Sequence, residues 1–288
     1  MVKILYGPTA SGKSAAALEY AAQNNAVIIN ADAMQCYRDL PLLTAQPDAE
    51  EQNAAPHKLY GFIDASRNII VTDWMDHAIA ELKKSFSENK QPVLVGGTGF
   101  YLKTLMEGLS DIPDVPPEVR AKAENIYEEA GLEPLIKDLK RHNAADAESI
   151  DLHNSRRVIR AWEVLQHTGR SLQDWQKQNK TTPPTDYEFE IELITRPREE
   201  LITRIHTRFD HMIENGLLEE VEALSERIDR GEVAEDNLII KAHGFRPLRV
   251  YLKGEMPLEE AITRAKTETR QYAKRQMTWA RQQFGFQT

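Results

Sequence analysis

The sequence predicts an α/β fold: a parallel sheet flanked by helices, interrupted by an all-helical insertion. Three observations carry this. Short apolar runs alternate with stretches of helical spacing, the mark of parallel βαβ units. A glycine-rich turn joins the first apolar run to the first helix. Two proline-rich stretches, 111–117 and 183–184, bracket a segment with helical patterns and no strand signal. The expected organisation is therefore a core (1–110), a helical insertion (111–186) and a segment completing the core with basic helices (187–288).

The elements follow in order. Residues 2–6 read as a strand, and Lys13 opens a helix reaching about residue 23. Residues 26–29 form a second apolar run leading into Asn30-Ala31-Asp32, and 58–63 is a plausible strand. Trp74, Ala78, Ile79, Leu82 and Phe86 recur at helical spacing. Residues 93–95, introduced by Pro92 and stopped by Gly96-Gly97, read as a short buried strand. Inside the insertion, 118–130, 133–141, 156–168 and 172–178 are amphipathic and charged. Residues 189–194 then alternate with period two, returning the chain to the sheet, and long helices follow over 198–230 and 258–283.

Composition narrows the class. The chain has 288 residues, 41% hydrophobic and 28% charged, as ordinary globular domains do. No apolar run approaches the roughly 20 residues that span a bilayer, and residues 1–6 are too few for a signal-peptide core. Cys36 is the single cysteine, which excludes internal disulfides and a cysteine-rich zinc site. The eight histidines show no ligand spacing with acids, so no zinc site is expected. Trp74, Trp162, Trp175 and Trp279 lie in helical patterns and are expected in cores. A cytoplasmic monomer is expected. The net charge of −9 argues against a polyanion partner, but its distribution does not: from Asp236 onward ten Lys/Arg stand against five Asp/Glu. Such asymmetry suits either a nucleic-acid partner or a solvated helical face.

The strongest motif is Gly7-Pro8-Thr9-Ala10-Ser11-Gly12-Lys13-Ser14, which fits the P-loop pattern without mismatch between a strand and a helix. Glycines let successive backbone N–H groups converge on one anion, and the helix start adds its positive end. Lys13 supplies a full charge and the Ser14 hydroxyl can hold Mg²⁺. The fold expected is therefore P-loop NTPase-like, and the ligand a polyphosphate.

Four further features bear on which polyphosphate. Asp32 ends the second strand near the P-loop, as a Mg²⁺ ligand, a general base or a helix cap. The strand over 93–95 ends in Gly96-Gly97-Thr98-Gly99, where a nucleoside triphosphatase normally has an Asp. This stretch reads as a close approach to ligand with Thr98 as donor, or as a plain tight turn. Arg204 and Arg208 share one helix face, toward phosphate or toward solvent. Arg156-Arg157-Val158-Ile159-Arg160 and Lys241-Ala242-His243-Gly244-Phe245-Arg246 mix basic residues with apolar, aromatic or glycine ones, as RNA-contacting clusters do.

Together with residues 32–37, 96–101, 204–212 and 270–279, these segments resemble the tRNA dimethylallyltransferase (tRNA isopentenyltransferase) family over essentially the whole chain. The resemblance implies transfer of a dimethylallyl group from dimethylallyl diphosphate to N6 of the adenosine just 3′ of the anticodon, with Mg²⁺. It implies Asp32 as general base, Thr98 fixing the diphosphate or the reacting base, and Arg208 pairing with the diphosphate. It further implies tRNA contacts from Met34, Gln35, Cys36 and Tyr37, from Arg120 and Arg156 to Arg160, and from Lys241 and the His243-Gly244-Phe245-Arg246 loop. The chain departs from the family's pattern at Ala33, at His153-Asn154-Ser155 and at Phe245-Arg246-Pro247, none of which replaces an expected catalytic group. The rival readings are a P-loop small-molecule kinase using ATP, and a non-catalytic RNA-binding protein with a vestigial P-loop.

Overall fold

Apolar residues at nearly every position make Val2–Tyr6 (β1) a strand covered on both faces, as parallel sheets require. The computed structural model describes residues 1–178 and 182–286. β1 passes through the glycine-rich turn into Lys13–Asn24 (α1) and Ala26–Asn30 (β2). Ala49–Ala54 (α2), His57–Lys58 (β3), Val71–Ser87 (α3), Gln91–Gly96 (β4) and Gly99–Glu107 (α4) follow. The next helices are Pro117–Ala130 (α5), Glu133–His142 (α6), Ala144–Glu148 (α7), Ser155–Thr168 (α8) and Leu172–Gln178 (α9). The chain ends its course through Phe189–Leu193 (β5), Arg198–Glu214 (α10), Leu217–Asp229 (α11), Phe245–Leu252 (α12) and Leu258–Phe284 (α13).

The strands lie in the order β3-β2-β4-β1-β5, every neighbouring pair parallel, with Ile4 opposite Leu94 on one side and Ile191 on the other. Alternate strand residues feed two cores. Ile4, Tyr6, Ile29 and Leu94 join Trp74, Leu82 and Tyr101, while Leu5, Ile28, Val93 and Val95 pack on Ala17 and Ala21 of α1. Trp74 is fully buried; its Nε1 donates to the Asn30 carbonyl at 2.9 Å and its ring stacks on Tyr101.

One strand is shorter than its apolar pattern predicts. Pairing with β2 stops after Lys58, because Leu59 and Gly61 take left-handed backbone angles that turn the chain away. Ile63 then rejoins by a single bridge to Tyr37.

Residues 1–106 with 185–288 form one compact unit, and Glu107–Pro184 form a second. The second unit has its own core of Ala123, Leu135, Leu139, Val158, Ala161 and Trp162. Leu135 and Leu139 are one turn apart on α6, and Trp162 of α8 donates to the Asp138 carboxylate at 3.2 Å. Trp175 is half-buried under the Arg170 guanidinium.

The basic surplus after Asp236 is in part absorbed internally. Arg249 pairs with Asp229 and Glu235, Lys253 with Asp229, Arg264 with Glu260, and Lys266 with Asp210. Among the described residues, no helix is long and apolar enough to cross a membrane.

Candidate active site

β2, β4 and β1 are neighbours, so the segments leaving their carboxyl ends converge: Asp32 after β2, Gly96 to Gly99 after β4, and Gly7 to Ser14 after β1. Asp32, Gly96 and Thr9 to Ser14 line a cavity of about 700 Å³, a size ordinary for small-molecule sites, and Thr98 stands just behind that lining.

The cradle is built by backbone conformation. Ala10 and Gly12 take φ of 63° and 98°, left-handed angles that turn the chain sharply just before α1. Lys13 Nζ donates to the Pro8 carbonyl at 2.7 Å and folds back over the turn. Its pKa is lowered to about 8 by burial, against the pull of Asp32. The Ser14 side chain lines the cavity, and the Ser11 side chain is buried beneath the turn. Gly7 has no room for a side chain: a Cβ there would lie 2.0 Å from the Ile194 carbonyl oxygen, just beyond β5. Gly7→Ala is therefore expected to cost about 1–3 kcal/mol by overpacking. Because the backbone itself must move, the variant should also lose pyrophosphate affinity, measurable by calorimetry beside a thermal melt.

Three arginines from the β5–α10 region hold the same turn, two of them, Arg204 and Arg208, also lining the cavity. Arg208 Nη2 donates to Thr9 Oγ1 at 2.6 Å, Arg204 Nε to the Ala10 carbonyl at 2.8 Å, and Arg196 Nε to the Ser11 carbonyl at 3.3 Å. The expected Arg204–Arg208 face thus points at the P-loop. Arg208 has a pKa lowered to about 10, chiefly by burial and then by Arg204, while Asp32 opposes. Arg196 carries no local signature in the sequence; a single Arg between a strand and a helix has no spacing to reveal it.

Across the cavity, Asp32 both caps and faces the site. Its Oδ1 accepts the Met34 N–H at 3.0 Å, capping the short turn Met34–Cys36, and the residue lines the cavity. Burial raises its pKa, with Lys13 and the N–H groups of Met34, Gln35 and Gly97 pulling the other way. Thr98 Oγ1 accepts the Ala33 N–H at 3.0 Å, which fixes Thr98 beside the Asp32 segment. The glycines around it are required by the chain's own packing. A Cβ on Gly96 would lie 2.1 Å from the Ala31 carbonyl, on Gly97 1.9 Å from Gln276 Nε2, and on Gly99 2.1 Å from the half-buried Trp279 ring.

Met34, Gln35 and His243 line the same cavity, with Tyr272 of α13. The His243 and Tyr272 rings are 4.4 Å apart, and His243 has its pKa lowered to about 4 by burial and by Arg275, so it is neutral near pH 7. Lys241 is half-buried and Arg246 exposed. Gly244 donates its N–H to Glu268, and residues 245–247 are the first turn of α12, where a loop was expected.

Four residues expected to touch tRNA have withdrawn their side chains. Cys36, Tyr37 and Phe245 are 0% exposed in the main core, and Val158 is 0% exposed in the helical unit, because each is the apolar position of a turn or helix packed on its neighbours. Ile159 is half-buried against the same helical core. Arg120, Arg156 and Arg157 are exposed in that unit, and Arg160 lies 3.7 Å from Glu163. Gln276 and Tyr272 received no individual role from sequence reasoning; both lie in an otherwise ordinary amphipathic helix.

Among the described residues no cluster of three or more His, Cys, Asp or Glu could hold a metal. Ser14 and Asp32 both line the cavity, and a hydroxyl with a carboxylate suits a cation bound largely through a ligand's phosphate oxygens and water.

A P-loop cradle on a parallel sheet, carrying lysine and arginine, with a carboxylate opposite and no acid at the end of β4, defines an enzyme of the P-loop fold. A model of the IPP transferase family matches residues 35–283. A tRNA dimethylallyltransferase of Rhodospirillum centenum is 41% identical, covering 98% of this chain and 88% of its own. One from a Bradyrhizobium species is 43% identical, covering 97% and 90%. Among solved structures, a eukaryotic dimethylallyltransferase acting on tRNA superposes with a TM-score of 0.82 at 28% identity, over 97% of this chain and 69% of that one. The full-length tRNA isopentenylpyrophosphate transferase of Bacillus halodurans gives 0.68 at 32% identity, over 97% and 86%. The chain belongs to the IPP transferase family.

Proposed function

We infer that this protein transfers a dimethylallyl group from dimethylallyl diphosphate to N6 of the adenosine 3′ of the anticodon in tRNA. The observation that carries the reading is one cavity with two unlike walls: a cationic cradle for a leaving diphosphate, and the Asp32 carboxylate for a proton.

An exocyclic adenine amine is a weak nucleophile, its lone pair being delocalised into the ring, so catalysis must act on the other reactant. As the allylic C–O bond lengthens, positive charge spreads over the five-carbon fragment and negative charge collects on the diphosphate. The P-loop N–H groups, Lys13 and Arg208 stabilise that developing charge. As the C–N bond forms, the amine becomes acidic and the Asp32 carboxylate takes its proton. Thr98, fixed by the Ala33 N–H, orients the reacting base or the diphosphate. Mg²⁺ would be held by the Ser14 hydroxyl and by diphosphate oxygens, supplying further charge neutralisation on the leaving group. The base must leave its stack to enter the cavity, at a cost of a few kcal/mol.

The exposed Arg120, Arg156 and Arg157 of the helical unit, with Arg246 of the core unit, are the groups that suit tRNA phosphate. Arg157→Ala is expected to weaken tRNA binding without changing the KM for the diphosphate. It should flatten the dependence of log affinity on log salt by about 1, seen in a filter-binding series.

The kinase alternative finds no support: Gly96 stands where a triphosphatase holds its acid, and the relatives bear other names. The direct test incubates the protein with anticodon stem-loop RNA and dimethylallyl diphosphate, followed by mass spectrometry. Addition of one five-carbon unit to the adenosine is expected. No addition, or consumption of ATP in the presence of a small acceptor, would overturn the reading.

A further inference from the structure

We propose that Gln276 of α13 is a positioning residue that sets the leaving-group cradle and the proton acceptor at their working separation. This rests on the reaction inferred above.

Gln276 is 4% exposed and uses every polar end it has. Its Oε1 accepts the Thr9 N–H at 2.9 Å, and its Nε2 donates to the Gly97 carbonyl at 3.0 Å. Its own carbonyl accepts the hydroxyl of Tyr6, the residue that ends β1, at 2.9 Å. One amide thus bridges the turn after β1 and the turn after β4. On the first side the bridge continues through Thr9, whose hydroxyl accepts Arg208 at 2.6 Å. On the other it continues from Gly97 to Thr98, and from Thr98 Oγ1 to the Ala33 N–H beside Asp32.

The amide orientation is dictated by its partners, because a backbone N–H must meet an oxygen and a backbone carbonyl must meet an N–H. Only an amide of this length serves both. The bare Cα of Gly97 makes room for it, since a Cβ there would lie 1.9 Å from Nε2. Gln276 lines the cavity, but both ends of its amide are spent on backbone groups of the two turns. Its loss therefore leaves the cradle's own N–H groups, Lys13 and the exposed arginines able to bind, while the distance between the two walls is no longer fixed. A displacement of about 1 Å between reacting groups costs on the order of 100-fold in rate.

The decisive variant is Gln276→Glu, which keeps the oxygen facing Thr9 and sets a second oxygen against the Gly97 carbonyl. Wild-type turnover is measured first, so that failure of the inferred reaction is seen separately. The expected result is a fall in kcat of about 10- to 100-fold. Both KM values and the pyrophosphate dissociation constant stay near those of wild type, with kcat counted per pyrophosphate-binding molecule. A purely structural role lowers the fraction of competent molecules and leaves kcat per competent molecule intact, which would overturn the proposal. So would a rise in the diphosphate KM at unchanged kcat. Should Gln276→Glu not fold, Tyr6→Phe decides: its ring packing is kept and only the tether to the Gln276 carbonyl goes. A several-fold loss of kcat at constant KM supports positioning; an unchanged kcat refutes it.

Discussion

Replacing Asp32 by Asn is expected to lower kcat by about 10²–10⁴-fold, the range a positioned general base contributes, while tRNA and pyrophosphate bind as before. Asn keeps the acceptor oxygen that caps the Met34 N–H, so the local turn survives and only the proton acceptor is lost. Stability should move the other way. Burial raises the Asp32 pKa in the folded protein, so its protonated form favours folding below the unfolded pKa, and that contribution is lost as pH rises through the folded value. At neutral pH the ionised carboxylate works against the fold, and the amide, which carries no charge, should leave the melting temperature unchanged or higher. The wild-type rate should fall on acidification from a higher pH than an ordinary carboxylate would give. A variant retaining wild-type turnover would remove Asp32 from the chemistry.

Lys13→Ala is expected to reduce kcat/KM for dimethylallyl diphosphate by about 10²–10³-fold, or about 2.7–4 kcal/mol of transition-state stabilisation. The KM for tRNA should not change, because Lys13 faces the cavity and not the exposed arginines. A pH signature accompanies this. Burial lowers the Lys13 pKa to about 8, so the ammonium is lost as pH climbs through that value and kcat/KM should decline above it. Once a diphosphate is bound, its charge favours the ammonium, and the limb should move upward in kcat itself. An unaltered profile in Lys13→Ala would assign that limb to another group.

The fold was legible where periodicity and turn chemistry agree. The β1–P-loop–α1 unit declares itself because the cradle needs particular residues at consecutive positions. Asp32 and Thr98 stand out in the sequence because they follow apolar runs that end at the same edge of the sheet. What escaped notice acts across great sequence distance. Gln276 meets Thr9 from 267 residues away, and no local pattern marks it. The glycines after β4 were read as room for a ligand or as a tight turn, yet they make room for α13 and the Ala31 backbone. Cys36, Tyr37, Val158 and Phe245 sit within segments that resemble an RNA-binding set, but a segment's membership does not say which of its side chains face inward.

The contacts of Gln276 with Thr9 and Gly97 join parts of the chain 267 and 179 residues apart. Thr9 and Gly97 are synthesised long before the helix that joins them. A chain still on the ribosome can complete the sheet's first four strands while the Gln276 bridge between its two turns is still missing. Closing so long a loop comes late in folding, after local contacts have formed. Catalytic competence should accordingly appear as the slowest phase of refolding, after helix and sheet signals have reached their final values.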